Sequence, residues 1–244
     1  MVGGRGKGAL LSHGVRTVAE TGSTNADMAE LARAGAAEGS WLRAERQTAG
    51  RGRQGRAWES PVGNLYASTL VRLRPSDPPP ATLALVAAVA LEEAVRTHGV
   101  QAVLKWPNDL LVDGAKLSGI LLERADEAVV IGFGVNLHHC PEGLDRAATS
   151  MRVYGAAPDP QLFAETLAEA FERWLARWRG EGIAPVRDRW LARAHPLGTA
   201  LTARLADGSA REGLFDGLDR DGALILRLAD GTRHVIHAGD VFLL

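Results

Sequence analysis

Cysteine, net charge and long apolar runs are all scarce in this chain, and each scarcity excludes a class of protein. The one cysteine, Cys140, excludes internal disulfides and every multi-cysteine zinc site, and it suits a reducing cytosol. The longest apolar run, 83–91, is too short to span a membrane, and the basic segment 1–8 is not followed by the apolar core of a signal peptide. We therefore predict a cytoplasmic protein without a membrane partner.

The balance of charges excludes a general attraction to nucleic acid. The net charge is −1, so any basic site has to be local. Hydrophobic residues make up 46% of the 244 residues and charged residues 23%, as is ordinary for a soluble globular protein. A chain of this length allows one large domain or a domain with a small appendage.

What the chain has instead is a glycine- and arginine-rich segment, 44–58, between two segments with the pattern of strands. Its glycines Gly50, Gly52 and Gly55 have the G-x-G-x-x-G spacing of dinucleotide-binding proteins. That fingerprint must open a helix within a βαβ unit, whereas the following residues, 57–63, cannot form a regular helix. No Walker-type G-x-x-x-x-G-K-[ST] sequence occurs either. Both of these nucleotide-binding motifs are therefore excluded.

The arginines of this segment favour an anion clamp. Arg51 and Arg53 can each direct two N–H groups at phosphate or carboxylate oxygens, which lysine cannot do. The glycines around them let the backbone approach a ligand closely and adopt positive φ angles. From these residues alone, a solvated basic loop and an RNA-binding Arg-Gly tract stay open as alternatives to the clamp.

Ser-Thr-Asn at 23–25 follows a predicted strand and starts a predicted helix. Thr24 with Asp27 three residues later is a capping pattern, and from these residues alone a helix cap is the favoured interpretation. The functional alternative is that the free N–H groups and hydroxyls of a helix start bind a polar ligand.

The segment 103–112 is a strand interrupted by Pro107, after which Asn108 and Asp109 lie at a bend. An Asp-Gly turn then returns the chain and brings Lys116 back beside Asp109. Such a pair can be a surface ion pair of little energetic consequence. The residues around Lys116 are apolar, however, and a charged amine in an apolar setting needs an anionic partner.

A buried strand is predicted at 129–137, where Gly132 and Gly134 indicate that another group approaches the backbone closely. Asn136 on this strand is a polar group that needs a partner. The following sequence, His-His-Cys-x-Glu at 138–142, suggests a metal site. Adjacent ligands point in diverging directions and no second ligand pair follows, so the sequence disfavours a metal here.

The pattern of the whole chain predicts a region of mixed strands and helices, followed by a region of strands alone. Strands are predicted at 15–20, 41–45, 64–70, 103–112, 115–123 and 129–137. Helices are predicted at 24–34, 81–98, 161–179 and 186–193, and the third of these has a predicted core face of Leu162, Phe163, Leu167, Phe171, Trp174 and Trp178. After residue 195 come four or five short strands with Asp-Gly turns, at 200–205, 211–218, 223–228 and 233–236, as in a small barrel. We therefore divide the chain into a larger domain, 1–195, and a small barrel, 196–244.

Five of these stretches together resemble the biotin–protein ligases in order and spacing. They are Ser23-Thr24-Asn25, Gln47 with 50–56 and Trp58, Lys105-Trp106-Pro107-Asn108-Asp109, Lys116-Leu117-Ser118-Gly119-Ile120 and Gly132-Phe133-Gly134-Val135-Asn136. The resemblance extends from about Val15 to the C-terminus. It implies an α+β fold, in which a mixed β-sheet with packed helices, like the catalytic domain of class II synthetases, precedes a small SH3-like barrel.

The resemblance also implies a reaction. Members of this family join biotin to ATP, with Mg²⁺, to give biotinyl-5′-AMP and pyrophosphate, and a lysine of a biotin carboxyl carrier domain then takes the biotinyl group. Catalytic roles are implied for Lys116, Asp109, Arg51 and Arg53. Biotin contacts are implied for Ser23, Thr24, Asn25, Gln47, Gly50, Arg51, Gly52, Arg53, Lys116 and Gly119. Nucleotide contacts are implied for Arg53, Trp58, Lys105, Asn108 and Asn136, and either asparagine could instead hold the metal, whose ligands stay unknown.

Two departures from the family pattern matter. Some members carry an N-terminal DNA-binding domain, but 22 residues precede Ser23 here, so we expect no DNA binding. Gln54 is arginine in some relatives, which removes one cation and leaves Arg51 and Arg53. The family also allows a homodimer.

Two other functions stay open. A lipoate or octanoate ligase shares the fold class and the acyl-adenylate chemistry, although its Arg-Arg-x-Ser-Gly-Gly-Gly type of motif is absent here. A non-catalytic biotin sensor would keep Gln47 and the polar helix start, but it would not need Lys116 or Asp109, which are both present.

Overall fold

The structure, a computed structural model, describes residues 14–141, 147–205 and 207–243, which form four α-helices, three short 3₁₀ helices and two β-sheets. The helices are α1 (Thr24–Arg33), α2 (Leu83–Thr97), α3 (Pro160–Glu181) and α4 (Ala184–Leu191). The strands are β1 (Val15–Thr21), β2 (Trp41–Gln47), β3 (Leu65–Arg72), β4 (Val103–Lys105), β5 (Asp109–Val112), β6 (Ala115–Ala125), β7 (Ala128–Val135), β8 (Ala200–Arg204), β9 (Ala210–Leu218), β10 (Leu224–Arg227), β11 (Arg233–Ile236) and β12 (Asp240–Leu243). Each predicted helix and strand is present, with shifted ends. Within the described ranges, no helix combines the length and apolar character that crossing a bilayer needs.

The larger sheet confirms the predicted mixed architecture. Its seven strands have the order β1-β2-β3-β7-β6-β5-β4. β1 and β2 are parallel and are connected through α1, whereas the other neighbouring pairs are antiparallel. The parallel pairing places Thr21 opposite Gln47, so the end of β2 lies beside the start of α1. In the β6–β7 pair, Gly119 lies opposite Gly134.

The alternation of side chains along β7 shows which residues lie on each face of this sheet. Phe133 belongs to the main core, in which α2 and α3 also pack, whereas Val130 packs with Met28 of α1 on the opposite face. Because successive side chains alternate, Gly132 and Gly134 lie on the α1 face. The start of α1 and the strand glycines therefore meet on the same side of the sheet.

The C-terminal sheet has five antiparallel strands in the order β11-β10-β9-β8-β12, as expected of an SH3-like unit. Its core joins that of the larger sheet. Phe215 packs edge-on against Trp190 of α4 with ring centroids 6.4 Å apart, and Trp106 Nε1 donates to the backbone oxygen of Gly222 at 3.2 Å. The division into domains at residues 195 and 196 stays a prediction.

One position of the predicted core face of α3 is wrong. Leu162 is 62% exposed, whereas the other members of that face are buried, namely Phe163, Leu167, Phe171, Trp174 and Trp178. Spacings of four and seven residues place Leu162 on the stripe that carries Thr166 and Glu169. That stripe faces away from the sheet, so an apolar residue in the first turn is left at the surface.

Candidate functional site

A cleft of about 900 Å³ opens on the α1 face of the larger sheet. It lies between this sheet, the segment 48–64, which we call the Arg-Gly loop, and the C-terminal sheet. The predicted site residues that line it are Ser23, Thr24, Asn25, Gln47, Arg51, Gly52, Arg53, Trp58, Lys105, Asn108, Asp109, Lys116, Gly119 and Asn136. Gly50 does not line the cleft. A Cβ atom there would lie 2.6 Å from the backbone oxygen of Trp58 and 2.9 Å from Gln47 Nε2, so loop packing requires glycine.

The start of α1 is not capped in the predicted way. Ser23 is the N-cap residue, and its side chain makes no capping hydrogen bond. Asp27 accepts a hydrogen bond from Thr21 Oγ1 at 2.6 Å instead of reaching the helix start. The predicted Thr24–Asp27 capping pattern is therefore wrong, because a side chain from β2 takes the place of the cap.

That side chain is Gln47. Its Oε1 accepts a hydrogen bond from the backbone N–H of Thr24 at 2.9 Å and lies 3.1 Å from Thr24 Oγ1. Its Nε2 donates to Ser60 Oγ at 3.1 Å, and Ser60 Oγ donates to the backbone oxygen of Trp58 at 3.1 Å. The orientation of the Gln47 amide is thus fixed at both ends, by the helix start and by the Arg-Gly loop.

Asn25 extends the same network under the sheet glycines. Its Oδ1 lies 2.6 Å from Ser68 Oγ, and Ser68 Oγ lies 2.8 Å from Thr24 Oγ1. A Cβ atom on Gly132 would lie 2.1 Å from Asn25 Oδ1, so the close approach predicted for this strand is confirmed. We call the side chains of Thr24, Asn25, Gln47 and Ser68 the polar floor. Thr24, Asn25 and Ser68 are all buried.

Asp109 lies between two lysines on the next wall of the cleft. Its Oδ1 is 2.6 Å from Lys116 Nζ, and its Oδ2 is 3.5 Å from Lys105 Nζ. The side chains of Asp109 and Lys105 are each 9% exposed, and that of Lys116 is 30% exposed. The predicted approach of Lys116 to Asp109 is confirmed. Two cations share one carboxylate, so this wall keeps an excess positive charge in a half-buried place, where an anion is attracted more strongly than in water.

Trp58 lies across the opposed glycines of β6 and β7. A Cβ atom on Gly134 would come within 2.6 Å of its ring, and one on Gly119 within 3.2 Å. Lys116 Nζ is 5.6 Å from the ring centroid, within the range of a cation–π contact. The Nε1 atom is buried and has no hydrogen-bond partner in the described part of the chain. The glycine pair thus makes room for an aromatic ring at the centre of the cleft.

The two predicted clamp arginines differ in their contacts. Arg51 is exposed and forms no ion pair with the residues that the structure describes. Arg53 donates to Asn108 Oδ1 at 3.3 Å, to Asp240 Oδ1 at 3.2 Å and to the backbone oxygen of Gly239 at 3.2 Å. Arg56 also pairs with Asp240. Arg53 therefore joins the Arg-Gly loop to β12, a contact that the sequence did not predict.

The two predicted asparagines are both held through their amide nitrogens. Asn108 Nδ2 donates to the backbone oxygen of Ile120 at 2.6 Å, and Asn136 Nδ2 donates to that of Thr149 at 3.0 Å. The amide oxygen of Asn136 is the end left for the cleft, whereas Asn108 Oδ1 accepts a hydrogen bond from Arg53.

Sequence reasoning missed the contribution of the C-terminal sheet and of the segment before it. Arg204, Asp240 and Val241 line the cleft from β8 and β12. Ala194 forms a parallel bridge with Leu104, which places His195 beside Lys105. Burial, together with the Lys105 charge, lowers the pKa of His195 to about 4, and its Nε2 is buried without a partner among the described residues. No local sequence pattern marks these residues.

The metal site considered at 138–142 finds no support. His138 Nε2 lies 3.2 Å from the backbone oxygen of Pro158, and Glu142 lies outside the described residues. Across 14–141, 147–205 and 207–243, no cluster of three or more histidine, cysteine, aspartate or glutamate side chains could hold a metal ion.

Two family models match the chain. Residues 21–136 match the biotin/lipoate A/B protein ligase family, and residues 197–244 match the biotin protein ligase C-terminal domain. Among solved structures, the biotin protein ligase from Aquifex aeolicus in complex with biotin and ATP superposes with a TM-score of 0.85 at 24% identity, over 94% of this chain and 99% of that one. This likeness shows the shared fold.

Curated relatives cover the chain almost completely. The biotin–[acetyl-CoA-carboxylase] ligase of Paracoccus denitrificans is 42% identical over 239 residues, which are 92% of this chain and 98% of the relative. The enzyme of the same name from Mycobacterium tuberculosis is 38% identical, over 92% of this chain and 86% of the relative. On this identity and coverage, the chain belongs to the biotin–protein ligase family.

Proposed function

We propose that the protein joins biotin to ATP as biotinyl-5′-AMP, with release of pyrophosphate, and then transfers the biotinyl group to a lysine of a biotin carboxyl carrier domain. The observation that carries this proposal is the Lys105–Asp109–Lys116 cluster beside the polar floor. An enzyme that joins two anions needs such excess positive charge where the reacting groups meet. The names of the two curated relatives and the biotin and ATP bound to the Aquifex aeolicus enzyme support the same reaction.

In the first step, a carboxylate oxygen of biotin attacks the α-phosphorus of ATP, and the bond from that phosphorus to the leaving pyrophosphate breaks. Negative charge builds on the α-phosphate oxygens during this step. Lys116 is 30% exposed and adjoins the cleft, so its ammonium is able to contact both the carboxylate and the α-phosphate. Arg51, which has no ion-pair partner among the described residues, supplies a second cation from the Arg-Gly loop.

In the second step, the amine of the carrier lysine attacks the carbonyl carbon of the adenylate. The bond from that carbon to the phosphate oxygen breaks, AMP leaves, and the amine loses a proton. We assign the proton acceptor to Asp109, which lies 2.6 Å from Lys116. When Lys116 moves its charge to the phosphate, Asp109 Oδ1 becomes free for the incoming amine.

The shape of the cleft supports a binding mode in which the two substrates lie side by side. The polar floor offers donors and acceptors to the ring system of biotin, and Lys116 is close to the far end of its acyl chain. Trp58 offers an aromatic face for the adenine, above Gly119 and Gly134. Lys105, Asn108 and Asn136 lie on the wall that the phosphates and ribose would follow.

Mg²⁺ fits this site only as a companion of ATP. Mg²⁺ keeps several waters and takes one or two protein oxygens together with substrate phosphates. Asp109 is occupied by two lysines, so the amide oxygen of Asn136 is the protein atom that we assign to it, with Asn108 as the alternative. The bound ion would neutralise phosphate charge in the first step.

Exchange of labelled pyrophosphate into ATP tests the proposal. The expected result is exchange with biotin and none with lipoate or octanoate. Exchange with lipoate or octanoate but not with biotin would assign the chain to the acyl ligases of the same fold. Biotin binding without any exchange would identify a sensor. Biotin transfer to a carrier-domain peptide tests the second step, and the same peptide with its acceptor lysine changed to arginine is the control.

A further inference from the structure

The chain has very few side-chain amines, and nothing above gives that scarcity a role. Of its 28 basic residues only three are lysines, namely Lys7, Lys105 and Lys116, and the others are arginines. Lys7 lies outside the described residues. The other two line the cleft and lie 3.5 and 2.6 Å from the carboxylate of Asp109. Every other basic side chain of the described part of the chain, histidines aside, is a guanidinium.

This scarcity matters because the intermediate of the proposed reaction is attacked by amines. A neutral amine forms a C–N bond to the carbonyl carbon of the adenylate, the bond from that carbon to the phosphate oxygen breaks, AMP leaves, and the amine loses a proton. A lysine becomes a neutral amine at about pH 10, so a small fraction is reactive at neutral pH. A guanidinium stays protonated and has no lone pair to attack with.

Arginines supply the cations at the exposed border of the cleft. Arg51, Arg53, Arg56 and Arg204, which we call the arginine rim, all line it, three from the Arg-Gly loop and one from β8. Arg51, Arg56 and Arg204 are exposed. The guanidinium carbon of Arg204 lies 5.2 Å from the ring centroid of Phe242 on the neighbouring β12, which holds it at this border. The rim therefore attracts anions and offers no attacking amine.

The two lysines inside the cleft are paired with a carboxylate. Asp109 accepts a hydrogen bond from Lys116 at 2.6 Å and lies 3.5 Å from Lys105, whose side chain is 9% exposed. A negative charge beside an amine favours the ammonium form, which has no lone pair. The phosphate of a bound adenylate adds negative charge at the same place. Both lysines therefore face the intermediate as cations and not as acceptors.

We propose that the arginine rim determines specificity in the second step, because it gives the cleft positive charge without giving the intermediate an acceptor amine. The acyl group then passes to the carrier lysine and not to the protein itself. The inference rests on the proposed function, since it needs an amine-reactive intermediate. It gives a role to Arg204, which takes no part in the two steps above, and lysine cannot fill this role although it carries the same charge.

Arg204→Lys tests the proposal, because it keeps the charge and adds one amine to the rim. The variant is incubated with biotin and ATP but without a carrier peptide, and mass spectrometry locates biotin along the chain. An amine tethered at the cleft has an effective concentration of about millimolar, far above that of an amine on another molecule in a micromolar solution. We expect biotin at residue 204, in a fraction of molecules that does not change when the protein is diluted. Pyrophosphate exchange should stay close to that of the wild type.

Arg220→Lys is the matched control, since it adds an amine outside the cleft. The Arg220 side chain is 90% exposed and lies between β9 and β10. An amine there is open to adenylate released into solution but is not tethered beside the bound intermediate. We expect at least about tenfold more biotin at residue 204 of the first variant than at residue 220 of the second.

Two results would overturn the proposal. One is no more biotin at residue 204 than at residue 220 in the matched variants, and the other is biotin on Lys105 or Lys116 of the wild type. If Arg204→Lys does not fold, Arg56→Lys carries the same test, since Arg56 belongs to the same rim. A wild-type protein without biotin-dependent pyrophosphate exchange would instead contradict the proposed function.

Discussion

The polar floor and the Arg-Gly loop bound the same cleft, but they are held in different ways. The floor consists of the buried side chains of Thr24, Asn25 and Ser68 with the half-buried Gln47, and each is hydrogen-bonded to its neighbour. The loop is mostly exposed and is tied to the C-terminal sheet by the ion pairs of Arg53 and Arg56 with Asp240. Losing one partner of a buried polar pair costs about 1–3 kcal/mol, whereas an exposed ion pair contributes about 0–1 kcal/mol.

This difference suggests a division of tasks. A rigid, desolvated floor discriminates between ligands because an unmatched group there cannot turn to water. A loop whose arginines are held by weak contacts opens at smaller cost, as the proposed reaction requires if substrates are to enter and a carrier lysine is to arrive. Between them stands the Lys105–Asp109–Lys116 cluster, half-buried and charged. The predictions below test this contrast, from the largest expected effect to the smallest.

Lys116→Ala should have the largest effect, because it removes charge at the reacting groups while leaving the floor intact. We expect adenylate formation to slow by about 10²–10³, the usual loss when one such group is removed from a transition state. Biotin affinity without ATP should change little. Pyrophosphate exchange gives the rate, and calorimetry gives the affinity.

Arg124→Ala is the control for this substitution. Arg124 lies on the same strand, and its Nε donates to the backbone oxygen of Asp126, outside the cleft. If Lys116→Ala exchanges pyrophosphate as fast as Arg124→Ala, Lys116 is only a residue of the hairpin.

Arg53→Gly should show that the loop retains the adenylate rather than selecting the substrate. The variant loses the hydrogen bonds of Arg53 to Asn108, Asp240 and Gly239, and with them a group positioned to hold the adenylate phosphate. Loss of one charge-assisted group should cost about 1.5–3 kcal/mol, or roughly ten- to a hundred-fold faster escape of adenylate. The released adenylate should biotinylate bovine serum albumin mixed with the enzyme.

Arg56→Gly is the matched control, since Arg56 borders the same cleft but is exposed, and its side chain hydrogen-bonds only to Gln54 and Asp240 among the described residues. It should label albumin little more than the wild type. If Arg53→Gly still makes adenylate but labels albumin no better than Arg56→Gly does, Arg53 does not retain the intermediate.

The parts of this molecule that could be predicted are those set by local patterns. The Asp-Gly turn at 113–114 brings Lys116 to Asp109 because a tight hairpin fixes the register over a few residues. The glycines of β7 could be identified as places of close approach because glycine inside a strand often marks a site where another group packs against the backbone.

The contacts that could not be predicted join residues that are far apart in the sequence. Asp240 and Arg53 are 187 residues apart, and Asn25 and Glu123 are 98 apart. Each side chain alone looks like an ordinary surface charge or cap, and its partner is known only once the strand order is known. The wrong capping prediction at Thr24 has the same cause, because a tertiary hydrogen bond from the Thr24 backbone N–H to Gln47 Oε1 replaced the local one.

The pH dependence of stability in His195→Gln should report on the junction between the two sheets. Burial near Lys105 lowers the pKa of His195 to about 4 from an unfolded value of 6.5. As the pH falls below 6.5, the unfolded chain binds a proton that the folded chain excludes, so stability is complete above that pH and is lost toward pH 4. Between pH 7.5 and 5 this loss should be on the order of 1 kcal/mol after allowance for partial exposure, and it should be absent in His195→Gln.

Urea unfolding at both pH values measures this difference. His237→Gln, at an exposed position before β12, is the control and should keep the wild-type pH dependence. An equal loss of stability in His195→Gln and the wild type would mean that another group titrates in this range.

Asp240→Ala should have the smallest effect and should act on the loop alone. Asp240, whose side chain is 15% exposed, pairs with both Arg53 and Arg56, whose side chains are 26% and 48% exposed, so the two partly screened contacts together are worth about 1 kcal/mol. Hydrogen exchange should accelerate about two- to fivefold at the amides of Gly52 and Trp58. These amides report on the loop because they donate within it, to the backbone oxygens of Arg56 and Gly50.

The amides of β7 are the internal reference for this experiment, since the floor should not respond to a weak contact on the opposite wall. Asp216→Ala is the matched control, because Asp216 also pairs with two arginines, Arg227 and Arg233, but within the C-terminal sheet and away from the cleft. Biotin with ATP should slow exchange in the Arg-Gly loop of the wild type, and less so in Asp240→Ala, because closure then lacks its anchor. Unchanged loop exchange in Asp240→Ala would mean that the backbone bonds of the loop, rather than its link to β12, keep it closed. Acceleration in β7 as well would mean that floor and loop open together and are not held separately.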